Sequence, residues 1–359
     1  MSAEDLGRRL LAEVEEIGLD ELLNDLRLRD DGPISRFDLP PLDSILATID
    51  QARASNGKTA PTTSPIVELM SLRPDVGTSN ILYHLTALAV LPRNLGGRQS
   101  CVVIIGADNT FSIPRLAQQI KTLAFTNRSS DATTNTINDA IHTSLKHIHI
   151  FHPQSLPSAI ATLNFLQSYL FNATRHSSFD RPVAFIALDS ASSFYWQARS
   201  DADDAALLAN TSETSQRTPQ GYPHLTAALK NASRILHAPI IYTTRYTGSG
   251  PPKSNNSNTG FELGPRSFRP NLPQPWGTLP ILRLVVRRME VRKLPVGITV
   301  EQAQREDEAR RKVVEKGKFE VFVNEWGVDE AVLRKLREKE LDGFEVYVNK
   351  VGLQLAAPE

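Results

Sequence analysis

The chain has 359 residues, a formal net charge of +0 at pH 7, and 40% hydrophobic and 22% charged residues. This composition is typical of a soluble globular protein, and the balanced charge excludes a uniformly basic surface, so any contact with nucleic acid must come from a local patch. Cys101 is the single cysteine in the sequence. It cannot form an internal disulfide or a cysteine-based zinc site, which favours a reducing compartment.

The first part of the chain, residues 1–28, is predicted to contain an amphipathic helix. Its apolar residues recur at spacings of three and four: Leu6, Leu10, Leu11, Val14 and Ile17. Such a stripe serves equally well for packing on the main domain or for docking a partner. Residues 29–64 are predicted to be a linker, because the stretch 52–64 is small, polar and contains proline.

Residues 65–295 are predicted to form an α/β core with a mostly parallel central sheet and helices on both faces. Apolar runs alternate there with longer amphipathic segments; the runs read PIVELM, CVVIIG, HIHIF, VAFIALD, APIIYTT and ILRLVV. Continuous Val/Ile runs indicate strands buried on both faces, and their alternation with helical patterns is typical of βαβ units. Two polar stretches, 199–222 and 247–275, interrupt the pattern and are predicted to be loops.

The last part of the chain, residues 296–359, changes in character. Residues 299–318 are highly charged, with acids four positions before bases, which predicts an exposed helix. The strings FEVFVNEW and FEVYVNKV then predict two strands around a charged helix at 329–339. These strands form a C-terminal β extension of the core.

The turn after the first predicted strand has the position of a nucleotide-binding P-loop, but only part of the motif is present. A P-loop reads G-x-x-x-x-G-K-[ST], with glycines for close approach of the backbone to phosphates, a lysine for the phosphates and a hydroxyl for magnesium. Here Gly77 and Ser79 match, whereas Leu72 replaces the first glycine and Thr78 replaces the lysine. The motif is therefore degenerate.

Three neighbouring residues further change this turn. Pro74 has no amide hydrogen to donate, and Asp75 adds a negative charge where phosphates would lie. Arg73 is the one nearby residue that offers a substitute positive charge. A second string, Gly57-Lys58-Thr59, lies in the predicted linker without a strand before it, so it has no P-loop mechanism.

Three polar residues follow other predicted strands. Asp189 ends the run VAFIALD and is predicted to hold magnesium together with Ser79 if a nucleotide binds; its alternative role is that of a helix-capping acid. Asp108 follows CVVIIGA and either orients a water molecule or forms a turn. Arg245 follows APIIYTT and either contacts a phosphate or a partner carboxylate, or is a solvated loop residue.

Cations and aromatic residues are interleaved in the stretch 247–275. Arg266, Arg269 and Phe268 are its candidates for single-stranded DNA binding, and the alternative is a disordered insertion. The histidines of KHIHIFHP (147, 149 and 152) have a spacing that can bind a metal, but no acid or cysteine is nearby, so they are interpreted as one partly buried sheet face.

These elements, in this order, resemble the core of the RecA-type recombinases. The strings ILYHLTALAVLP, IIGADNTFSIPRL, ALDSASSFYWQAR and PWGTLPILRLVVRR are more closely similar to the eukaryotic paralogues of that recombinase. The resemblance covers residues 1–295 and is that of a divergent member. It implies a P-loop ATPase fold.

The resemblance also implies roles for single residues. The family's phosphate-binding lysine falls on Thr78 and its hydroxyl on Ser79, and the magnesium acid falls on Asp189. The water-orienting acid falls on Asp108. A residue that senses nucleotide falls on Arg245, where the family has an amide. Its two DNA-facing loops fall on the stretches 199–222 and 247–275.

The function that the resemblance implies is nuclear homologous recombination repair. Such a protein works in a complex of recombinase paralogues, next to the paralogue usually lettered D, and supports the recombinase filament on single-stranded DNA. The degenerate P-loop favours a subunit with little or no catalysis and leaves ATP and magnesium open as cofactors. The alternatives are an active DNA-dependent ATPase with a noncanonical phosphate site, and a single-stranded DNA-binding module that uses 247–275.

Overall fold

The computed structural model of the chain describes residues 36–55, 64–73, 77–128, 134–209, 221–247, 266–289, 299–301, 307, 310–311 and 317–355. The predicted N-terminal helix at 1–28 lies outside these residues. Within them, no helix has the length and apolar character needed to cross a bilayer.

The described residues contain one mixed sheet of nine strands. In chain order these are β1 (Ile66–Ser71), β2 (Cys101–Gly106), β3 (Ile148–Phe151), β4 (Val183–Asp189), β5 (Ile240–Arg245), β6 (Leu282–Arg288), β7 (Lys318–Val323), β8 (Gly343–Val348) and β9 (Leu353–Leu355). Their order in the sheet is β3-β2-β4-β5-β1-β6-β7-β8-β9. The pairs among the first six strands are parallel, and β7 to β9 continue the sheet with antiparallel pairs.

Helices cover both faces of the parallel part. They are α1 (Pro40–Ser55), α2 (Gly77–Val90), α3 (Ile113–Thr126), α4 (Thr134–Leu145), α5 (Leu156–Leu170), α6 (Tyr195–Ala209), α7 (Tyr222–Leu236) and α8 (Glu330–Glu338). Alternate residues of β2 point to opposite faces: Val102 and Ile104 join the core under α1 to α4, and Val103 and Ile105 join the core under α5 and α7. The predicted α/β class with a mostly parallel sheet is confirmed.

Helix α1 lies inside the range 29–64 that the sequence predicts to be a linker, and for residues 40–55 that prediction is wrong. The linker was predicted from the polar composition of 52–64, which does not apply to the apolar stripe that precedes it. Leu42, Ile45, Leu46 and Ile49 have helical spacing, and all four are buried against the core. Burial of this stripe stabilises the helix.

The predicted C-terminal β extension lies directly beside the core. Strand β6 pairs with β7, and Phe37–Glu359 form one compact unit. On α3, the Gln119 side chain accepts from the backbone N–H of Leu353 at 2.7 Å and its amide donates to the Leu353 carbonyl at 3.3 Å. In the charged segment, the predicted Asp307–Arg311 pair is present at 2.9 Å between exposed side chains.

Candidate nucleotide-binding cleft

A cleft of about 290 Å³ opens where four parallel strands end. The carboxyl ends of β1, β2, β4 and β5 meet at one edge of the sheet, which is where open α/β sheets bind ligands. The cleft is lined by Ser71, Arg73, Thr78, Ser79, Asn80, Tyr83, Asp108, Thr110, Ser112, Arg115, Asp189, Ser190, Thr243, Thr244 and Arg245. The predicted residues at 73, 78, 79, 108, 189 and 245 are therefore brought together.

Gly77, the glycine that matches the predicted P-loop motif, is the first residue of α2 and faces the sheet. A Cβ atom at this position would lie 2.8 Å from the Phe319 ring and 2.8 Å from a Val286 methyl group. The glycine therefore permits close packing of the helix on β6 and β7, a role that needs no phosphate. Residues 74–76, with the predicted effects of Pro74 and Asp75, lie outside the described residues.

Thr78 is the residue on which the resemblance places the phosphate-binding lysine. Its side chain is buried and lines the cleft beside Ser79. A threonine hydroxyl is neutral and short, so it supplies neither the charge nor the reach of a lysine ammonium group.

Asp189, at the end of β4, is the most constrained polar group of the cleft. Its side chain is 3% exposed, and its Oδ1 accepts from the Thr243 hydroxyl at 2.7 Å. Its Oδ2 is buried and has no hydrogen-bond partner among the described residues. A buried carboxylate oxygen without a partner is costly unless water or a cation satisfies it.

The surroundings of Asp189 shift its ionisation. Burial raises the pKa of the Asp189 carboxyl from 3.8 to about 6; the hydrogen bond from Thr243 opposes the shift, and the charge of Asp108 adds to it. At neutral pH the group is therefore a desolvated carboxylate. A cation in the cleft would bring its pKa back down.

The next residues hold this strand end in place. Ser190 has a left-handed backbone with φ of 65°, and its N–H donates to the Thr243 hydroxyl at 2.6 Å. The N–H of Ala191 donates to the Thr243 carbonyl at 2.8 Å. One threonine thus fixes both the Asp189 carboxylate and the turn that follows it.

Asp108 forms the predicted turn and also lines the cleft. Its Oδ1 accepts from the Thr110 N–H at 3.1 Å and from the Thr110 hydroxyl at 2.8 Å, the pattern of an aspartate-initiated turn. It also lines the cleft and affects the pKa of Asp189. The turn is observed, and the water-orienting role stays a prediction.

Three arginines line the cleft. Arg73 and Arg245 are predicted candidates, whereas Arg115 of α3 was not predicted. Ser112 caps the helix that carries Arg115, and its own N–H donates to the Tyr83 hydroxyl at 2.8 Å. In the sequence, a cation in the first turn of the helix that begins IPRL was the signal that could have identified Arg115. Only the fold, however, brings this residue to the cleft.

A second buried carboxylate lies on β1 behind the cleft. Glu68 accepts from Arg283 Nε at 2.7 Å, from the Thr244 hydroxyl at 2.6 Å and from the Tyr242 hydroxyl at 3.2 Å. The Arg283 guanidinium also donates to the carbonyls of Trp276 at 2.8 Å and Gly277 at 2.7 Å. The network ties β1, β5 and β6 to the segment before β6.

The candidate DNA-binding residues of 247–275 are placed differently from their prediction. Residues 248–265 lie outside the described part of the chain. Phe268 is 2% exposed, and Asn324 makes hydrogen bonds of 2.8 Å to both its N–H and its carbonyl. The prediction that Phe268 stacks on DNA bases is wrong for this structure, because its ring is buried against the sheet.

Arg266 is also engaged inside the molecule. It forms an ion pair with Asp342, and its guanidinium lies 3.7 Å from Glu320 and 5.5 Å from the centre of the Phe322 ring. Arg269 is exposed, and its DNA-binding role stays a prediction.

The other predicted loop, 199–222, is helical in its first part. Helix α6 extends to Ala209, and residues 210–220 lie outside the described part. The loop was predicted because the stretch is polar, but for residues 199–209 that prediction is wrong, since good helix formers such as alanine and leucine follow its acidic residues. At this helix, Trp196 is 69% exposed.

The histidines of KHIHIFHP lie at the β3 edge. His147 Nδ1 and His149 Nε2 each lie 2.9 Å from the Ser178 hydroxyl. Burial lowers the pKa of both imidazoles from 6.5 to about 4. Within the described residues, no group of three or more histidines, cysteines or acids is arranged to hold a metal ion.

The described residues fit magnesium better than they fit nucleotide phosphates. The unpartnered Oδ2 of Asp189 and the Ser79 hydroxyl are hard oxygen donors in one cleft, as magnesium requires. For phosphates, the lysine is absent and only arginine side chains at the rim offer charge.

The chain is similar in sequence to a mouse DNA repair protein. The mouse protein named DNA repair protein XRCC2 is 26% identical to this chain over 197 residues, which is 54% of this chain and 62% of that protein. The match therefore spans less than two thirds of that protein's length. No family model matches the chain. The resemblance predicted from the sequence is confirmed as a similarity, at a divergent level, to DNA repair protein XRCC2.

Proposed function

We propose that this chain is a RecA-type recombinase paralogue that acts in homologous recombination repair of double-strand breaks and stalled forks. In this proposal it is a non-catalytic or weakly catalytic subunit of a nuclear paralogue complex. Its partner is the paralogue usually lettered D, and the complex supports assembly of the recombinase filament on single-stranded DNA. Contact with DNA is made through the complex.

The observation that carries the proposal is the composition of the cleft, taken together with the DNA repair relative. Asp189 and Ser79, the predicted magnesium ligands, line the cleft together with Thr78, on which the resemblance places the phosphate-binding lysine. Losing one charge-assisted contact to a phosphate costs about 1.5–3 kcal/mol. Tight nucleotide binding is therefore not expected, although the fold around the site is kept.

If a nucleotide with magnesium did bind, the ion would supply charge neutralisation at the phosphates. Asp189 and Ser79 would hold it, Thr243 would keep the Asp189 carboxylate oriented, and Arg73 would be the nearest cation from the loop itself.

A second candidate is an active DNA-dependent ATPase with a noncanonical phosphate site. The cleft arginines favour it, because Arg115 and Arg245 approach from α3 and β5 instead of from the P-loop. Two arginines at the rim give positive charge without the lysine, and Asp108 would be the water-orienting acid.

The first experiment is a titration of the purified chain with ATP and magnesium, alone and with its paralogue partner. We expect no binding tighter than roughly 1 mM, equivalent to about 4 kcal/mol. Thr78→Lys tests whether the lysine is all that is missing: gain of binding would mean an otherwise intact phosphate loop. Micromolar binding by the wild type that Asp189→Ala abolishes would favour the second candidate.

The biological part of the proposal is tested by complementation. Cells that lack this gene should be sensitive to DNA cross-linking, and both the wild type and a folded Asp189→Ala variant should restore resistance. If the wild type restores resistance and Asp189→Ala does not, catalysis or nucleotide binding is required. If deletion causes no sensitivity, the recombination role itself is refuted.

A further inference from the structure

A second cavity, of about 510 Å³, lies at the opposite edge of the sheet, where β1 and β6 begin. It is lined by Arg53, Ser64, Pro65, Ile66, Lys230, Asn231, Ser233, Arg234, Thr278, Leu279, Pro280 and Ile281. Nothing in the proposed function uses this cavity, which here is named the basic pocket.

The floor of the basic pocket is apolar and fixed by backbone hydrogen bonds. The Ile281 N–H donates to the Ile66 carbonyl at 2.8 Å, and the Ile240 N–H donates to the Pro65 carbonyl at 2.9 Å. Leu279 is buried beside them. Because the floor belongs to the paired ends of three strands, its shape is set by the fold before any ligand arrives.

The rim of the basic pocket carries three cations. Lys230 and Arg234 are one turn apart on α7 and exposed, and Arg53 approaches from the last turn of α1. The described residues that line the pocket include no acid. Among the described residues, none of the three cations forms an ion pair with a carboxylate, and Arg234 donates only to the neutral amide of Asn231, at 2.9 Å.

The stability of each helix explains why Arg53 and Arg234 occur where they do, but not why both lie at the same pocket. Arg53 and Arg234 both lie in last turns, where a positive charge interacts favourably with the helix dipole. Two helices that each end in a cation do not have to end at the same cavity. Here both helices do end at the basic pocket, and Lys230 adds a third positive charge. A bound anion would reduce the electrostatic repulsion among these three cations.

We propose that, in addition to contact with DNA made through the complex, the basic pocket of this chain directly binds the phosphodiester backbone of single-stranded DNA. The choice of DNA as the source of phosphate rests on the proposed function, whereas the arrangement of charge does not. Ser64 and Asn231 offer neutral hydrogen-bond donors beside the cations. No aromatic ring lines the pocket within the described residues, so binding is to the backbone, independent of sequence and dependent on salt.

The test is fluorescence anisotropy of a labelled oligo-dT strand titrated with the full chain across a salt series. Each phosphate contact on a single strand contributes about 0.7 to the slope of log affinity against log salt. The variant Arg53→Ala/Lys230→Ala/Arg234→Ala should therefore lose about 2 from this slope, and its affinity at low salt should fall at least about tenfold.

The matched control removes the same total charge elsewhere. Lys121, Lys146 and Lys350 are exposed and do not line the pocket. Their triple alanine variant should keep the slope of the wild type. The double variant Lys230→Ala/Arg234→Ala changes only exposed positions of α7, so it keeps the test valid if Arg53→Ala affects folding; its slope should fall by about 1.4.

Equal slopes for the pocket variant and the control would overturn the proposal. So would weakening of inorganic phosphate binding by the pocket variant with no change in its DNA binding, because the pocket would then be a site for free phosphate. Failure of complementation with a changed DNA slope would refute the proposed repair role and leave the pocket supported, so the two failures are distinguishable.

Discussion

The sheet carries two buried carboxylates, Glu68 on β1 and Asp189 on β4, and their surroundings differ. Glu68 has three donors, including the Arg283 guanidinium at 2.7 Å. Asp189 has a hydroxyl donor on one oxygen and no partner on the other within the described residues. Both acids lie near the cleft, since each accepts a hydrogen bond from a threonine that lines it: Glu68 from Thr244 and Asp189 from Thr243.

This difference separates a structural acid from one that is available to a ligand. The network of Glu68 is complete inside the protein, so any ligand would have to break it. Asp189 is desolvated and has a donor on only one of its oxygens among the described residues, which is typical of an acid that binds a ligand. The contrast predicts that the two acids respond in opposite ways to removal of charge.

The largest effect is expected for the pair Glu68–Arg283. Arg283→Met leaves the buried Glu68 carboxylate without its cation and should lower the free energy of unfolding by about 3–5 kcal/mol. Urea denaturation measures the change. The double variant Glu68→Gln/Arg283→Met removes both charges and should recover much of the loss. A cost below about 1 kcal/mol for Arg283→Met would show that Glu68 is not dependent on its partner.

The opposite response is expected for Asp189→Asn. Its folded pKa of about 6 lies above the unfolded value of 3.8, so the Asp189 contribution to stability is full below about pH 4 and is lost as pH rises to about 6. At pH 7 the variant should therefore be more stable than the wild type, by about 2–3 kcal/mol for a shift of this size. Denaturation with a chelator present at pH 4 and at pH 7 tests this.

The histidines do not obscure that comparison. His84, His147 and His149 have pKa values lowered to about 4 by burial, so they cost stability as pH falls from 6.5 to 4, the reverse of Asp189. They are the same in both proteins, so they cancel in the difference between variant and wild type. A difference that does not change with pH would contradict the raised pKa. Added magnesium should stabilise the wild type only, if the cleft holds the ion.

The sequence predicts the parts of this molecule that local pattern determines. Helix α5 (Leu156–Leu170) is one of the amphipathic segments that alternate with the predicted strands, and it forms there because Ser155 caps it and its apolar spacing is regular. Asp189 was identified from the sequence because it is the acid that ends the apolar run VAFIALD. In contrast, Glu68 and Arg283 are 215 residues apart, and no local pattern joins them.

The errors have the same origin. Phe268 and Arg266 were predicted to contact DNA because cations and aromatic residues are interleaved in 247–275. Asn324, 56 positions after Phe268 and directly after β7, instead holds the Phe268 backbone by two hydrogen bonds. Arg115 was missed because only the parallel arrangement of β1, β2 and β4 brings the start of α3 to the cleft. Contacts distant in sequence decide these positions.

The smallest of the expected effects concerns Gly77, which packs against the sheet next to the cleft residue Thr78. Gly77→Ala places a methyl group 2.8 Å from Phe319 and Val286, and overpacking of this kind costs about 1–3 kcal/mol. The double variant Gly77→Ala/Val286→Ala makes room and should recover part of the loss, as urea denaturation can measure. Recovery of stability would show that Gly77, like Glu68, contributes to folding stability and not to ligand binding. If Gly77→Ala leaves stability unchanged but abolishes a measured nucleotide affinity, the glycine serves phosphate instead, and the cleft is a working P-loop.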